Sequence, residues 1–588
     1  MLACMKTAWN LTLFYTGLDD PKIERDQRKA DAAIAAFARK YRKSNDHLKK
    51  PAALAKALAD YEKLMLLDAS KAGYYTYYRK DINVEDKPAE ALAAKLESRG
   101  TKRSNQILFF GLELGKVSVA QQKTFLSAKV LAPYRYWLEQ LFKNAKYDLS
   151  EPEEKILSLT SEVAYNRWIQ ATDNILNKKT VLLDGDEIPL PQAQGMLANL
   201  PTEKRRALGH ALNAAYVATG DIAESELNAV YTDKKIDDEL RKIKEPYEAT
   251  IRGYQNDVTS VLALVDAVSK SNAIAHRFYE AKRKLLKLDR LTYADRAAVV
   301  GTVSQQIPFE RAVDIVRDEF TRLDPQYGTL FDRLLANGQV DVYPKKGKTG
   351  GAYCSSGVGM PTMMLLNHTN DFNSLKTLAH ESGHAIHAER AKQQPPIYQG
   401  HPISTAETAS TFFEAAVLKR VVRELPEDQR VVALHDAIQD DIATIFRQIA
   451  FFRFERALHQ EVRRDGYVPK ERIAALMNEH MAAYLGPSFD LMPEDGYFFV
   501  AVSHIRRFFY VYSYAYGQLI SKALHRKLEQ DPAYIKKVDG FLSTGESRSP
   551  YDIFKSCGLD TKKPDVFIEG LKSVEADVTA LEKLIKTR

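Results

Sequence analysis

Three cysteines in 588 residues, Cys4, Cys354 and Cys557, are too few and too far apart for a disulfide framework, and none forms a CxxC pair. Proline and glycine are scarce as well, at 23 and 28, which excludes collagen-like and low-complexity disordered chains. Charge of one sign is not in large excess: 84 Lys and Arg against 77 Asp and Glu leave +7, with both signs interleaved along the chain. Nucleic acid is therefore not an expected partner. No uncharged apolar run reaches the roughly 18 residues of a membrane helix; the best stretch, 442–458, is cut by Arg447, Arg453, Glu455 and Arg456. The first 26 residues also lack the apolar centre of a signal peptide, because Lys6, Asn10 and Thr12 interrupt it. These absences predict a cytoplasmic protein with no membrane contact and no evident obligate protein partner.

What the chain does have is 45% hydrophobic residues, much of it at helical spacing. Residues 23–175 read as a helical lobe. Asp184-Gly185, between the β-prone runs of 179–190, predicts a small hairpin or turn and a soft boundary. Domains are expected at 1–190 and 191–588. The basic run Lys282-Arg283-Lys284, alternating with leucines, reads as a solvated helix face. Residues 339–368 hold a glycine-rich middle between two β-leaning ends, which predicts a small sheet with a flexible loop. A phosphate cradle is excluded there, because no Lys-Ser or Lys-Thr follows a GxxxxG frame.

Five of the 13 histidines fall between His368 and His401, and two of them form His380-Glu381-Ser382-Gly383-His384. Chance yields only ~0.04 such HExxH-type motifs in a chain of this composition. On a helix, predicted over about 372–392 and capped by Asp371 or Asn373, positions i and i+4 share a face. Both imidazoles then reach one Zn²⁺ while Glu381 points at water. His387 lies about 10.5 Å of helix rise from His380, too far to join them, and is placed behind the ligands or in packing. For the third ligand the candidate is Glu407, brought back by the helix break at Gln394-Pro395-Pro396. Ser404-x-x-Glu407 is equally a capping box, so the spacing alone leaves both readings open. Glu414, seven residues on, is placed to orient a ligand histidine through its free N–H.

HESGHAIH followed by AETASTFFE, with GKTGGAY and LLNH before them, resembles the oligoendopeptidase F branch of the thimet-oligopeptidase-like zinc peptidases. The N-terminal W-x-L-x-x-F…D-D-P, from Trp9 to Pro21, and Asn166-Arg167-Trp168 extend the resemblance over most of the chain. It implies a mainly α fold, a two-lobed helical bowl enclosing a channel, with a small β-sheet next to the HExxH helix. It also implies one Zn²⁺ per chain on His380, His384 and Glu407, with Glu381 as general base. Gly351, Ala352 and Tyr353 of the glycine loop would meet substrate, and residues 362–367 would pair with an extended peptide.

In SHIRRFFYVYSYAYG, residues 503–517, tyrosines alternate as in a strand, yet the resemblance implies a helix start with a His and Tyr donating to the oxyanion. On one continuous helix His504 and Tyr510 would face apart, so His504 is expected on a loop before it. Tyr510 and Tyr512 are the expected donors, with Tyr514 facing ligand and Tyr516 in packing. The expected function is thus zinc-dependent endopeptidase cleavage of short unfolded oligopeptides. The rival readings are a zinc hydrolase of non-peptide amides and a non-catalytic helical peptide-binding protein.

Overall fold

A computed structural model describes residues 5–67, 70–303 and 306–586; Cys4 lies outside them. The chain is 73% helical with only small sheets, so the mainly α expectation holds. Among the described residues no single helix is long and apolar enough to cross a membrane.

Four helices open the chain: α1 (Pro21–Lys43), α2 (Pro51–Met65), α3 (Lys71–Ile82) and α4 (Lys87–Gly115). Asp20 and Asp86 cap α1 and α4, and proline stands in the first turn of α1, α2 and α4, where its missing N–H costs nothing. One apolar core lies among these helices, around Phe37, Leu58 and Phe110. A hairpin follows, β1 (Thr180–Leu183) against β2 (Asp186–Pro189), turned by Asp184 at φ 56° and Gly185 at φ 92° as the Asp-Gly pair predicts. A second, far larger core runs from Leu176 to Leu581.

The helices that matter for the site are α5 (Gly220–Leu240), α6 (Phe372–Ala391), α7 (Ile403–Glu424), α8 (Gln448–Asp465), α9 (Tyr512–Gln530) and α10 (Asp565–Lys586). Asp371, not Asn373, caps α6, accepting from the Ser374 N–H at 2.7 Å. Helices α6, α7, α9 and α10 pack in that order. Two glycines let the first three approach: a Cβ on Gly383 would stand 2.8 Å from the Ser410 Cα, and one on Gly517 would stand 2.8 Å from the Glu407 Cβ.

Besides a two-residue parallel pair of β3 (Leu291–Thr292) with β7 (Phe489–Asp490), one sheet remains. It contains β4 (Val340–Asp341), β5 (Tyr353–Ser355) and β6 (Met363–Leu365) in the order β4-β6-β5. The two β-leaning ends are its strands β4 and β6. The third, β5, lies inside the stretch expected to be flexible, and this corrects the peptide-pairing expectation: 362–367 forms the centre, bonded on both sides, and the open edge is β5. Trp9 ties the N-terminal segment to this sheet, its indole N–H donating to the Gln339 and Met364 carbonyls at 3.1 and 2.8 Å.

Candidate active site

Residues far apart in the chain meet where α6 crosses α7. One ligand atom each from His380, His384 and Glu407 lies within 4.8 Å of the others, and the two imidazole rings stand 5.0 Å apart at 81°. Helix α7 begins after Pro402, with no side-chain cap. The Ser404 hydroxyl has no partner, so the capping role for Glu407 is excluded. Its carboxylate faces the His380 Nε2 at 3.8 Å instead.

Glu414, one further turn-pair along α7, fixes the ligand geometry from behind: its Oε2 lies 2.8 Å from the His380 Nδ1. With Nδ1 engaged, Nε2 is left to face Glu407. Burial opposes charge on His380, but Glu414 first, then Glu381 and Glu407, outweigh it and hold the ring up to about 9. The negative field that draws a proton there would equally draw a cation. Burial, followed by the charge of His380, keeps His384 well below its ordinary value, in the neutral form a metal ligand needs. Glu414 is itself steadied by Lys376 at 3.7 Å, which also reaches Asp440. Two imidazoles and a carboxylate, one imidazole oriented by a second carboxylate, fit Zn²⁺ in donor type and number.

Glu381 is 8% exposed, and burial foremost pushes its carboxyl up to about 7, with the Cys354 backbone N–H on β5 acting in the opposite sense. A carboxyl poised there suits proton transfer near neutral pH. His387 makes no hydrogen bond to any ligand. It is buried with its ring 4.4 Å from His401 and 5.3 Å from Phe541, so its role is packing.

The tyrosine-rich stretch is neither a strand nor one helix. His504 sits on a short 3₁₀ turn, Ser503–Arg507, and α9 begins only at Tyr512. Between them Phe508 and Phe509 have φ of 48° and 63°, a left-handed conformation that bulky side chains rarely adopt. The reversal lays the His504 ring parallel to that of Tyr510, 5.6 Å away. On α9 Tyr514 and Gly517 share one face at i and i+3, and Gly517 packs on Glu407, so Tyr514 lies on that side; Tyr510, just before the helix, sets its ring 5.7 Å from that of Tyr514. The Tyr514 hydroxyl donates to that of Tyr510 at 3.4 Å.

Tyr512 is therefore corrected. It points the opposite way into the core, fully buried beside Asn256, with Tyr516 at 6.4 Å. Tyr514 takes its place in the cluster with His504 and Tyr510. Tyr353 is corrected too: its hydroxyl is bonded to Asp81 and its ring packs on Trp9 and Tyr77, so the side chain does not face substrate.

Residues 205–573 match the model of peptidase family M3, and residues 113–177 match that of oligopeptidase F. The chain belongs to peptidase family M3. Oligopeptidase PepF of Bacillus subtilis is 27% identical over 527 residues, covering 87% of this chain and 78% of its own. A Lactococcus lactis oligoendopeptidase F homolog is 23% identical over 99% of this chain and 98% of its own. The fold matches the crystal structure of oligoendopeptidase-F from Enterococcus faecium with a TM-score of 0.73 at 19% identity, covering 96% and 99% of the two chains. As a member of family M3 the chain is a peptidase.

In this M3 peptidase several positioning residues escaped the sequence reading. Asp81, at the end of α3, accepts from the Thr349 hydroxyl at 3.0 Å as well as from Tyr353, stapling the glycine loop and β5 to the N-terminal helices. Lys348, buried within that loop, pairs with Asp341 at 2.7 Å. The donor turn is pinned by Arg506, whose guanidinium makes a two-pronged pair with Glu226 of α5 at 2.7 and 2.8 Å. Tyr165 and Tyr231 donate to the carbonyls of Arg506 and Ile505, and Glu455 of α8 accepts from the Phe509 N–H at 2.6 Å. Lys282 departs from the solvated face expected of it, being fully buried and donating to the Arg296 carbonyl at 2.7 Å.

Proposed function

We propose that the chain is a zinc-dependent endopeptidase that hydrolyses internal bonds of short, unfolded oligopeptides. The observation that carries this reading is the convergence of His380, His384 and Glu407 beside Glu381, with Glu414 locking one imidazole. One Zn²⁺ per chain, held by those three residues, would supply a Lewis acid that acidifies water and polarises the scissile carbonyl. Glu381, its carboxyl set near neutrality by burial, takes the proton of the attacking water and passes it to the leaving amine. His504, Tyr510 and Tyr514 stand together as donors to the oxyanion. An extended substrate would run along the free edge of β5, whose Cys354 N–H faces Glu381, and backbone pairing there is indifferent to side-chain identity. Beyond that edge lies a cavity of about 780 Å³, lined by Tyr74 and Tyr77 of α3, Arg103 of α4 and Ser355 of β5. It lies almost wholly among the N-terminal helices and gives the peptide room where they meet β5, in an enzyme that would exclude folded proteins from its channel and act in a cytoplasmic setting.

Digestion of a mixed peptide library with and without a chelator, read by mass spectrometry, tests the reading. Internal cleavage of short peptides, abolished by the chelator and restored by Zn²⁺, is the expected result. Chelator-insensitive cleavage would overturn the metal assignment, and an untouched library the peptidase one.

A further inference from the structure

Behind His504 opens a cavity of about 390 Å³ that the proposed chemistry does not use. Leu197, Leu212, Phe451 and Phe498 give it apolar walls, and Arg296 and Arg447 project two guanidinium groups onto the same walls. Neighbouring arginines are neutralised: Arg205 and Arg206 share Asp295, and Arg506 holds Glu226. Arg296 and Arg447 differ. Among the described residues no carboxylate pairs with either, and the Nε of each is buried without an acceptor.

Carboxylates on the cavity wall are engaged elsewhere. Asp490 pairs with Arg290 at 2.7 Å, and Asp495 accepts from the Asn213 amide at 2.7 Å and the Met492 N–H at 2.8 Å. The groups facing Arg447, apart from Arg296, include His504, held below its ordinary value first by burial, and the hydroxyls of Tyr279, Tyr293 and Tyr484, which carry no charge at neutral pH. Burial first, then the like charge of Arg296, presses the Arg447 guanidinium below its ordinary value. Arg296 cannot swing away, because it lies over the rings of Tyr293 and Phe498 at 4.8 and 5.6 Å, while Lys282 ties its carbonyl. The Tyr293 hydroxyl, on the same wall, is buried without a partner. Two guanidiniums with no carboxylate partner in an apolar cavity are costly unless an anion completes them, and a carboxylate matches their planar fork.

We propose that Arg296 and Arg447 anchor the C-terminal carboxylate of a bound peptide, whose last side chain fills the apolar part of the cavity next to His504. This rests on the peptidase reading above. An enzyme built so recognises one end of its substrate by charge and the remainder by backbone.

The test pairs two fluorogenic peptides of one sequence, ending in a free acid or an amide, with wild type, Arg296→Gln, Arg447→Gln and Arg447→Lys. Wild type should favour the acid about tenfold in kcat/KM, chiefly through KM, the scale of one charge-assisted contact. Each Gln variant should bring that ratio close to one, and the Lys variant should retain part of it. A wild-type ratio near one, or Gln variants that keep the wild-type ratio, overturns the proposal. A second arm needs no turnover: an N-acetylated dipeptide acid should raise the melting temperature of the wild type more than its amide does. If neither peptide is cleaved, the peptidase reading falls and this arm alone decides the anchor. Equal protection by acid and amide, or protection by chloride alone, marks a small-anion site and overturns the peptide anchor. Should a Gln variant fail to fold, the Lys variant and the other Gln variant carry the comparison.

Discussion

The two halves of the site are built by opposite means. The ligand half is local: two imidazoles and Glu381 come from five consecutive residues of α6, and Glu407 and Glu414 come from two turns of α7. Helical periodicity alone places them. The donor half has no such scaffold. Its His504 and Tyr510 are joined by a turn that includes two residues with positive φ, and the turn keeps its shape because Glu226 holds the Arg506 guanidinium while Tyr231 of the same helix, Tyr165 and Glu455 hold its backbone. A motif secures His380, His384 and Glu381, whereas packing secures His504 and Tyr510.

This contrast is broken most severely at Glu381. Glu381→Gln should lower kcat by about 10⁴-fold while zinc content, read by elemental analysis, stays at the wild-type level; an active zinc-loaded variant would falsify the base assignment. Next in size is Glu226→Ala, which leaves the Arg506 charge buried and alone. It should cost about 3–5 kcal/mol in denaturant unfolding and lower kcat, yet leave zinc affinity untouched in the protein that remains folded. If zinc is lost as well, the halves are not separable. Tyr510→Phe should reduce kcat by about 10²–10³-fold with little change in KM, and Tyr512→Phe should change it by less than about twofold. The reverse order in steady-state kinetics would return Tyr512 to the oxyanion. The smallest effect belongs to Glu414→Gln, which keeps the shape but weakens the field on His380. Competition with a chelator should show zinc affinity reduced by about 10–100-fold.

The same contrast explains what was legible in the sequence. The α6 helix, a cap at Asp371 or Asn373, the hairpin at Asp184-Gly185 and the mainly α class were all readable from spacing and turn chemistry. Strand β5 was not, because Tyr353-Cys354-Ser355 has no periodicity of its own and becomes a strand only by pairing with β6. Exchanging Tyr512 for Tyr514 required the rotation of α9, which Gly517 sets by its fit against Glu407. That glycine, three residues after Tyr514, was the one available signal. Lys282 was misread because its neighbours Arg283 and Lys284 do reach the surface and pair with Glu280, while Lys282 itself turns inward to Gln439 and the Arg296 carbonyl. Arg296 and Arg447 lie 151 positions apart, and no motif links them.

The Trp9 clamp also sets a timetable. Trp9 bonds Asp341 across 332 positions and Met364 across 355, so on the ribosome it must wait for nearly two thirds of the chain to be made. At 5–20 residues per second that delay is about 17–70 s. Throughout it the indole can pack on Tyr78 but lacks the carbonyls that accept its N–H, and the edge strand beside Glu381 cannot be braced. Cleavage competence should therefore arise late in biogenesis, well after the N-terminal helices have formed their own core. A newborn chain would pass most of its synthesis unable to cut the peptides around it.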